Sequence, residues 1–219
     1  MVSIKPRVED SLSILIERFP RLKSCVYELT RAYEMMLTSF ENGGKLLVGG
    51  NGGSASDAEH IVAELMKSFG KERRISMQER DKFLHLLGKS GAQLVDKLEG
   101  SLPAISLNST TSLLTAIAND IDYSMVFAQQ VYGLGKPGDV LLLISTSGNS
   151  QNIIQAAQVG KVKGLATILL TGDSGGEAAS IVDLSLKIPA SSTFEIQEMH
   201  IAVYHQLCLW LENAFFFKD

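Results

Sequence analysis

The stretch Asp139-Val-Leu-Leu-Leu-Ile-Ser-Thr-Ser-Gly-Asn-Ser150 decides the fold. Val140 to Ile144 form an unbroken apolar run of strand length, with no polar residue alternating among them. A strand apolar on both sides is one covered on both faces, as in a parallel sheet sandwiched between helices. Upstream, Lys136-Pro137-Gly138 is a turn that feeds this strand. Downstream, the hydroxyl-rich run ends at Ser150, a residue suited to the N-cap of a helix predicted over residues 150–163.

The same unit recurs on either side. Residues 45–48 read as a buried strand, followed by the loop Gly49-Gly50-Asn51-Gly52-Gly53 and a helix capped by Ser54 or Ser56 that runs to about Phe69. Residues 103–107, 166–170 and 182–188 read as further strands, with helical segments up to residue 134 and a long helix over residues 193–216. Near the N-terminus Leu12, Ile16, Phe19 and Leu22 recur at helical spacing, and Pro20 divides that stretch in two. Strands alternating with helices predict an α/β fold, a flavodoxin-like three-layer sandwich with a mostly parallel sheet. Residues 70–101 break the alternation. They are rich in charge and carry Phe83, Leu84, Leu86, Leu87, Leu94 and Leu98, which predicts two amphipathic helices inserted against the sheet domain or a neighbouring subunit. Residues 1–219 thus read as one domain, with an N-terminal helical segment over 1–40 and a helical insertion over 70–101.

Composition narrows the function classes. With 45% hydrophobic and 20% charged residues, the 219-residue chain can bury a substantial core. Twenty Lys and Arg against 24 Asp and Glu leave a net charge of −4, which does not suit a protein that grips nucleic acid through a broad basic face. Cys25 and Cys208 lie far apart and form no CxxC pair, so a reducing, cytoplasmic setting is expected. Residues 1–10 carry mixed charges with no apolar core of a leader, and no apolar run approaches a membrane span; no membrane association is expected.

The loop Ser145-Thr146-Ser147-Gly148-Asn149-Ser150 offers hydroxyls, a flexible backbone at Gly148 and the positive end of a helix. Those are the neutral donors that hold a phosphate. The loop lacks the lysine of a nucleotide-binding GxxxxGK[ST] loop, and no GxGxxG stands elsewhere, so no nucleotide cofactor is expected. Asn51, Gly52, Gly53 and Ser54 allow close backbone approach from the neighbouring strand. His60 and Glu64, four apart on the helix that follows, share a face; such a pair can exchange a proton, share a metal or simply be solvated. The last helix carries Gln197, His200 and His205.

Taken in order, Gly50-Asn51-Gly-Gly-Ser54-x-x-Asp57-x-x-His60-x-x-x-Glu64, then Ser145-Thr-Ser-Gly-Asn-Ser150, then Ile196-Gln197-Glu-x-His200-x-x-x-x-His205, the chain resembles the sugar isomerase (SIS) family, and within it the group acting on heptose phosphates. The resemblance implies aldose–ketose isomerisation of sedoheptulose 7-phosphate to D-glycero-D-manno-heptose 7-phosphate. It implies Glu64 as general base and His205 as acid partner. Ser145, Thr146, Ser147, Ser150, Asn51, Gly52, Gly53 and Ser54 would hold phosphate and nearby hydroxyls, and Asn119, Asp120 and Gln197 would contact the sugar. It further implies zinc in some members, through His60, Glu64, Gln197 and His205, and homotetramers with sites at subunit interfaces. Two departures stand out: the segment 70–101, where relatives have a short connection with an Arg-Pro pair, and Glu195 at a commonly basic position.

The chemistry of the reaction asks for the same parts. Moving a proton between C1 and C2 through an enediolate needs a base, a group that polarises or protonates the carbonyl oxygen, and a remote binding handle. Glu64, His205 and the phosphate loop form one such set, and a zinc ion is an alternative polariser. On one helix, however, Gln197 and His205 stand about 12 Å apart with faces rotated by about 80°. Both reach one ion only by leaning together, across a chain break, or with another subunit. Two other functions stay open: a non-catalytic sensing or protein-binding SIS module, and an isomerase for another ketose phosphate.

Overall fold

The computed structural model describes residues 6–217; the first five residues of the N-terminal helical segment lie outside them. In chain order the elements are α1 (Pro6–Arg18), a 3₁₀ turn (Pro20–Cys25), α2 (Val26–Glu41), β1 (Leu46–Gly50), α3 (Gly53–Met66), α4 (Met77–Leu87), α5 (Lys89–Val95), β2 (Ala104–Ser106), α6 (Thr111–Asp120), α7 (Ala128–Leu134), β3 (Val140–Ser145), α8 (Gln151–Val162), β4 (Ala166–Thr171), β5 (Leu184–Lys187) and α9 (Thr193–Phe216). The five strands form one wholly parallel sheet in the order β2-β1-β3-β4-β5.

Every residue of β3 is buried, and its side chains divide between two cores. Val140, Leu142 and Ile144 pack with α1, α2, α3 and α9, whereas Leu141 and Leu143 pack with α6, α7 and α8. This is the three-layer sandwich that the apolar run predicts. Each such Leu or Ile contributes about 1.5–3 kcal/mol of burial free energy, so the strand is held from both sides. Chain direction across the sheet switches between β1 and β3, since β1 leads to β2 on one edge and β3 leads to β4 on the other. Ligands of such sheets sit in the crevice above that switch point. The loops after β1 and β3 flank it.

Several boundaries differ from the expected ones, each for a physical reason. β1 continues through Gly49 and Gly50, which pair with Leu143 and Ile144. A Cβ on Gly50 would stand 2.5 Å from the backbone oxygen of Ser54, so the bare backbone lets α3 start directly over the strand end. Neither Ser54 nor Ser56 caps α3; Gly52 occupies the cap position at φ +57°, and both serines lie in the first turn. The helix ends at Met66 rather than Phe69. The Glu212 carboxylate accepts from the amides of Phe69 at 2.8 Å and Gly70 at 2.9 Å, drawing the chain out of the helix toward α9.

Within residues 70–101, α4 and α5 form the expected helix pair. A capping box between Ser76 and Glu79 starts α4, and an antiparallel bridge between Arg74 and Glu99 closes the base of the pair. Leu84, Leu86, Leu87, Leu94 and Leu98 are all exposed in the single chain, while Gly91 and Val95 of the pair are buried.

Candidate active site

The phosphate loop is a backbone construction. Ser145 ends β3 and is nearly buried, and its hydroxyl accepts from the Gly148 amide at 3.1 Å. The Ser147 hydroxyl accepts from the Asn149 amide at 3.2 Å. Gly148 stands at φ +65°, and a Cβ there would lie 1.9 Å from the Gly175 carbonyl oxygen, so only glycine permits this bend. The Gly148 carbonyl accepts from the Ala178 amide at 3.0 Å, and Asn149 Oδ1 accepts from the Glu177 amide at 2.9 Å. Ser150 does stand at the N-cap of α8, but its hydroxyl makes no cap bond.

Across the crevice, Asn51 and Asn152 exchange a reciprocal pair of amide hydrogen bonds, both 2.9 Å, and the Tyr123 hydroxyl donates to Asn51 Oδ1 at 3.3 Å. The loop after β1 is thereby braced to the first turn of α8. Asn152 and Tyr123 are functional-loop supports that motif reading misses, since neither lies in the quoted strings. Asn51 and Gly52 line a cavity of about 230 Å³ with Asn108 and Thr115. Ser54 is buried in the first turn of α3. Asn119 and Asp120 end α6, where Asn119 Nδ2 donates to Asp120 Oδ1 at 2.8 Å.

α3 and α9 pack side by side and run parallel. Gln197 presses on Gly53, His60 meets Tyr204, and Phe69 meets Glu212, with an offset of 144 residues at His60 and 143 at Phe69. This register brings three predicted residues together. His60 Nε2 lies 3.1 Å from Glu64 Oε1, and the His60 and His205 rings are 5.0 Å apart, edge to face. Glu64 is only 8% exposed, and Lys67 Nζ donates to its other oxygen at 3.2 Å. His205 Nε2 is buried without a hydrogen-bond partner. Burial, and then the nearby His60, hold His205 below the usual histidine range, which favours the neutral ring.

A buried ion pair locks the end of α3 in place. Arg73 Nε donates to Glu212 Oε1 at 2.7 Å, with both side chains almost wholly out of solvent. The same guanidinium donates to the carbonyls of Leu65 at 2.8 Å and Glu64 at 2.6 Å, satisfying last-turn acceptors that the helix leaves open. It thus fixes the backbone that carries the Glu64 carboxylate. His200, the other histidine of the α9 motif, is fully buried with both ring nitrogens unpaired, and burial pushes it down to about 4.

The four residues expected at a zinc ion do not converge as a set. α9 is unbroken, so Gln197 stays at the Gly53 end while His205 sits two turns on, beside His60. Among the described residues no group of three or more His, Cys, Asp or Glu surrounds a common point. The donor types nonetheless suit zinc, and the orphaned His205 nitrogen beside the His60–Glu64 pair is a place where a cation would be satisfied. No helix among the described residues is long and apolar enough to cross a membrane.

A parallel sheet with two polar loops at its switch point, and a carboxylate and histidines on the flanking helices, defines a SIS-domain protein. Residues 78–172 match the SIS domain family directly. At 39% identity over 196 residues, covering 90% of each chain, the protein is similar to the phosphoheptose isomerase of Rhodospirillum rubrum. It is 43% identical to that of a Roseiflexus species, over 84% of this chain and 80% of the relative. The solved phosphoheptose isomerase of Neisseria gonorrhoeae superposes with a TM-score of 0.72 at 35% identity, covering 94% of this chain and 97% of the other. That of Francisella tularensis gives 0.72 at 29% identity, covering 97% and 100%. The chain belongs to the phosphoheptose isomerase family, and it is an isomerase.

Proposed function

We propose that this protein interconverts sedoheptulose 7-phosphate and D-glycero-D-manno-heptose 7-phosphate. The observation that carries the reading is the junction of Glu64, His60 and His205 where α3 meets α9, in a chain of this family. The loop of residues 145–150, with Ser54, holds the phosphate through hydroxyls and amides. Glu64 removes the proton from one carbon and returns it to its neighbour, and His205 donates to or accepts from the sugar oxygen as the enediolate forms and collapses. A neutral His205 suits both directions, since it can give and take a proton at different nitrogens.

A zinc ion would be held by His60, Glu64 and His205, and when bound would polarise the carbonyl and hydroxyl oxygens of the sugar. The same proposal includes a homotetramer with sites at subunit interfaces. Its support is the apolar surface left uncovered, Leu86 at 75% and Phe194 at 67% exposure, and the groove of about 510 Å³ between α1 and α9 on which His205 opens. A cytoplasmic setting fits the two buried, unpaired cysteines, Cys25 and Cys208. The test is turnover on a panel of five- to seven-carbon ketose phosphates. Conversion confined to sedoheptulose 7-phosphate is the expected result, and binding without conversion of any of them would contradict it.

A further inference from the structure

Two asparagines that the proposed mechanism leaves without a task grip the loop after β1. Asn108, beyond β2, holds its backbone: Oδ1 accepts from the Gly50 amide at 3.2 Å, and Nδ2 donates to the Gly50 carbonyl at 2.8 Å. Asn152, in the first turn of α8, holds its side chain through the reciprocal pair with Asn51, both bonds 2.9 Å. An asparagine that opens a helix commonly turns its side chain to nearby backbone. Asn152, at 2% exposure, instead sends both its amide nitrogen and its amide oxygen across the crevice. The Tyr123 hydroxyl, from the turn after α6, adds a bond to Asn51 Oδ1 at 3.3 Å. Among the described residues these contacts fill both lone pairs of Asn51 Oδ1 and one hydrogen of Nδ2. A single N–H of that side chain is left for a ligand.

We infer that Asn152 is a positioning residue for the sugar. Acting through Asn51, it ties the start of α8, which follows the phosphate loop, to the loop that opens α3, the helix of Glu64. The phosphate loop has braces of its own in Ser145, Ser147 and residues 177–178, so it keeps its bends without Asn152. What the asparagine pair adds is the spacing between the two loops across the switch point, with the phosphate anchored on one side and the base carried from the other. A substrate held at its phosphate meets the base only if that spacing is right, and a misplacement of about 1 Å can cost about 100-fold in rate. A reciprocal amide pair suits this task. Turning either amide over would set oxygen against oxygen and nitrogen against nitrogen, so one arrangement is selected.

This role rests on Glu64 as the base and residues 145–150 as the phosphate loop, and its test separates them. In steady-state kinetics on sedoheptulose 7-phosphate, Asn152→Ala should lower kcat by about 10- to 100-fold, while the inhibition constant of inorganic phosphate stays within about twofold. Asn51→Ala and Asn152→Ala together should do no more than the more harmful of them alone, because either one breaks the same tie. Tyr123→Phe, at a residue 62% exposed, removes one hydroxyl without touching the core and should lower kcat about two- to tenfold. Losses that multiply in the double variant would overturn the inference. So would unchanged kcat in Asn152→Ala, or phosphate inhibition weakened in step with kcat. If Asn152→Ala does not fold, unchanged kcat in Tyr123→Phe overturns it. If the unsubstituted protein converts no ketose phosphate, the functional reading fails instead. The Asn51 side-chain amide signals in nitrogen-15 NMR then still judge the tie: they should lie away from the position of an exposed asparagine and shift on Tyr123→Phe, and signals at that position would overturn it.

Discussion

The two ends of the candidate site are built in different ways. At the phosphate end the geometry belongs to backbone: Gly148 at φ +65°, amides folded back on Ser145 and Ser147, and a helix N-terminus behind them. At the acid–base end it belongs to side chains on two parallel helices, whose contacts span 144 residues at His60 and Tyr204. The first end is set by backbone bends, braced by residues 175–178 and by Asn51, and tolerates changes that keep those bends. The second depends on one register between α3 and α9, so a change anywhere along their seam reaches the chemistry.

Substitutions that separate binding from turnover test this contrast most sharply. Glu64→Gln should lower kcat by about 10²- to 10⁴-fold with KM nearly unchanged, as steady-state kinetics would show. A change at the seam should instead act on stability first. Arg73→Met leaves the Glu212 carboxylate buried without its counter-ion and should cost about 3–5 kcal/mol in urea unfolding. Activity should fall with it, because Arg73 also holds the Glu64 carbonyl. If the variant were as stable as the parent, the seam would not be what holds α3.

His200 gives the acid–base helix a pH dependence that the phosphate loop lacks. Burial holds it at about 4 in the folded chain, against about 6.5 when unfolded. The folded state therefore binds fewer protons between those values, so stability is full above about pH 6.5 and falls as pH drops toward 4. The total is about 3 kcal/mol, and His200→Leu should flatten that limb in denaturant titrations at stepped pH.

At the phosphate end, Gly148→Ala forces a side chain into a left-handed bend and against Gly175. It should raise KM by roughly tenfold, the equivalent of about 1.4 kcal/mol of strain, while leaving proton transfer in bound substrate largely intact. The smallest effect is expected outside both ends. Leu86→Glu, on α4, is 75% exposed and should change the stability of the single chain by less than about 0.5 kcal/mol. Gel filtration of the same variant would show whether that surface is covered in an assembly.

The same contrast explains what was legible in the sequence. The run from Val140 to Ile144 and the loop that follows were readable because a buried parallel strand and a phosphate-type turn are written in adjacent residues. The spacing of His60 and Glu64 placed them on one face for the same reason. Where boundaries were missed, a distant group decided them: Glu212 ends α3, and pairing with Leu143 and Ile144 carries β1 through Gly49 and Gly50. Arg73 carries no local signal of its role, because that role exists only once α9 lies along α3. The apolar residues of α4 and α5 were correctly read as helical, but periodicity says nothing of what covers a face.

The central claim is that one site joins a phosphate cradle to a Glu64 base for heptose isomerisation. Its most direct test is proton exchange at C1 and C2 of sedoheptulose 7-phosphate in deuterated water, followed by NMR with the protein and with Glu64→Gln. Deuterium incorporation with appearance of the aldoheptose phosphate in the first, and neither in the second while substrate still binds, is the predicted result. Incorporation at the same rate in both would contradict it.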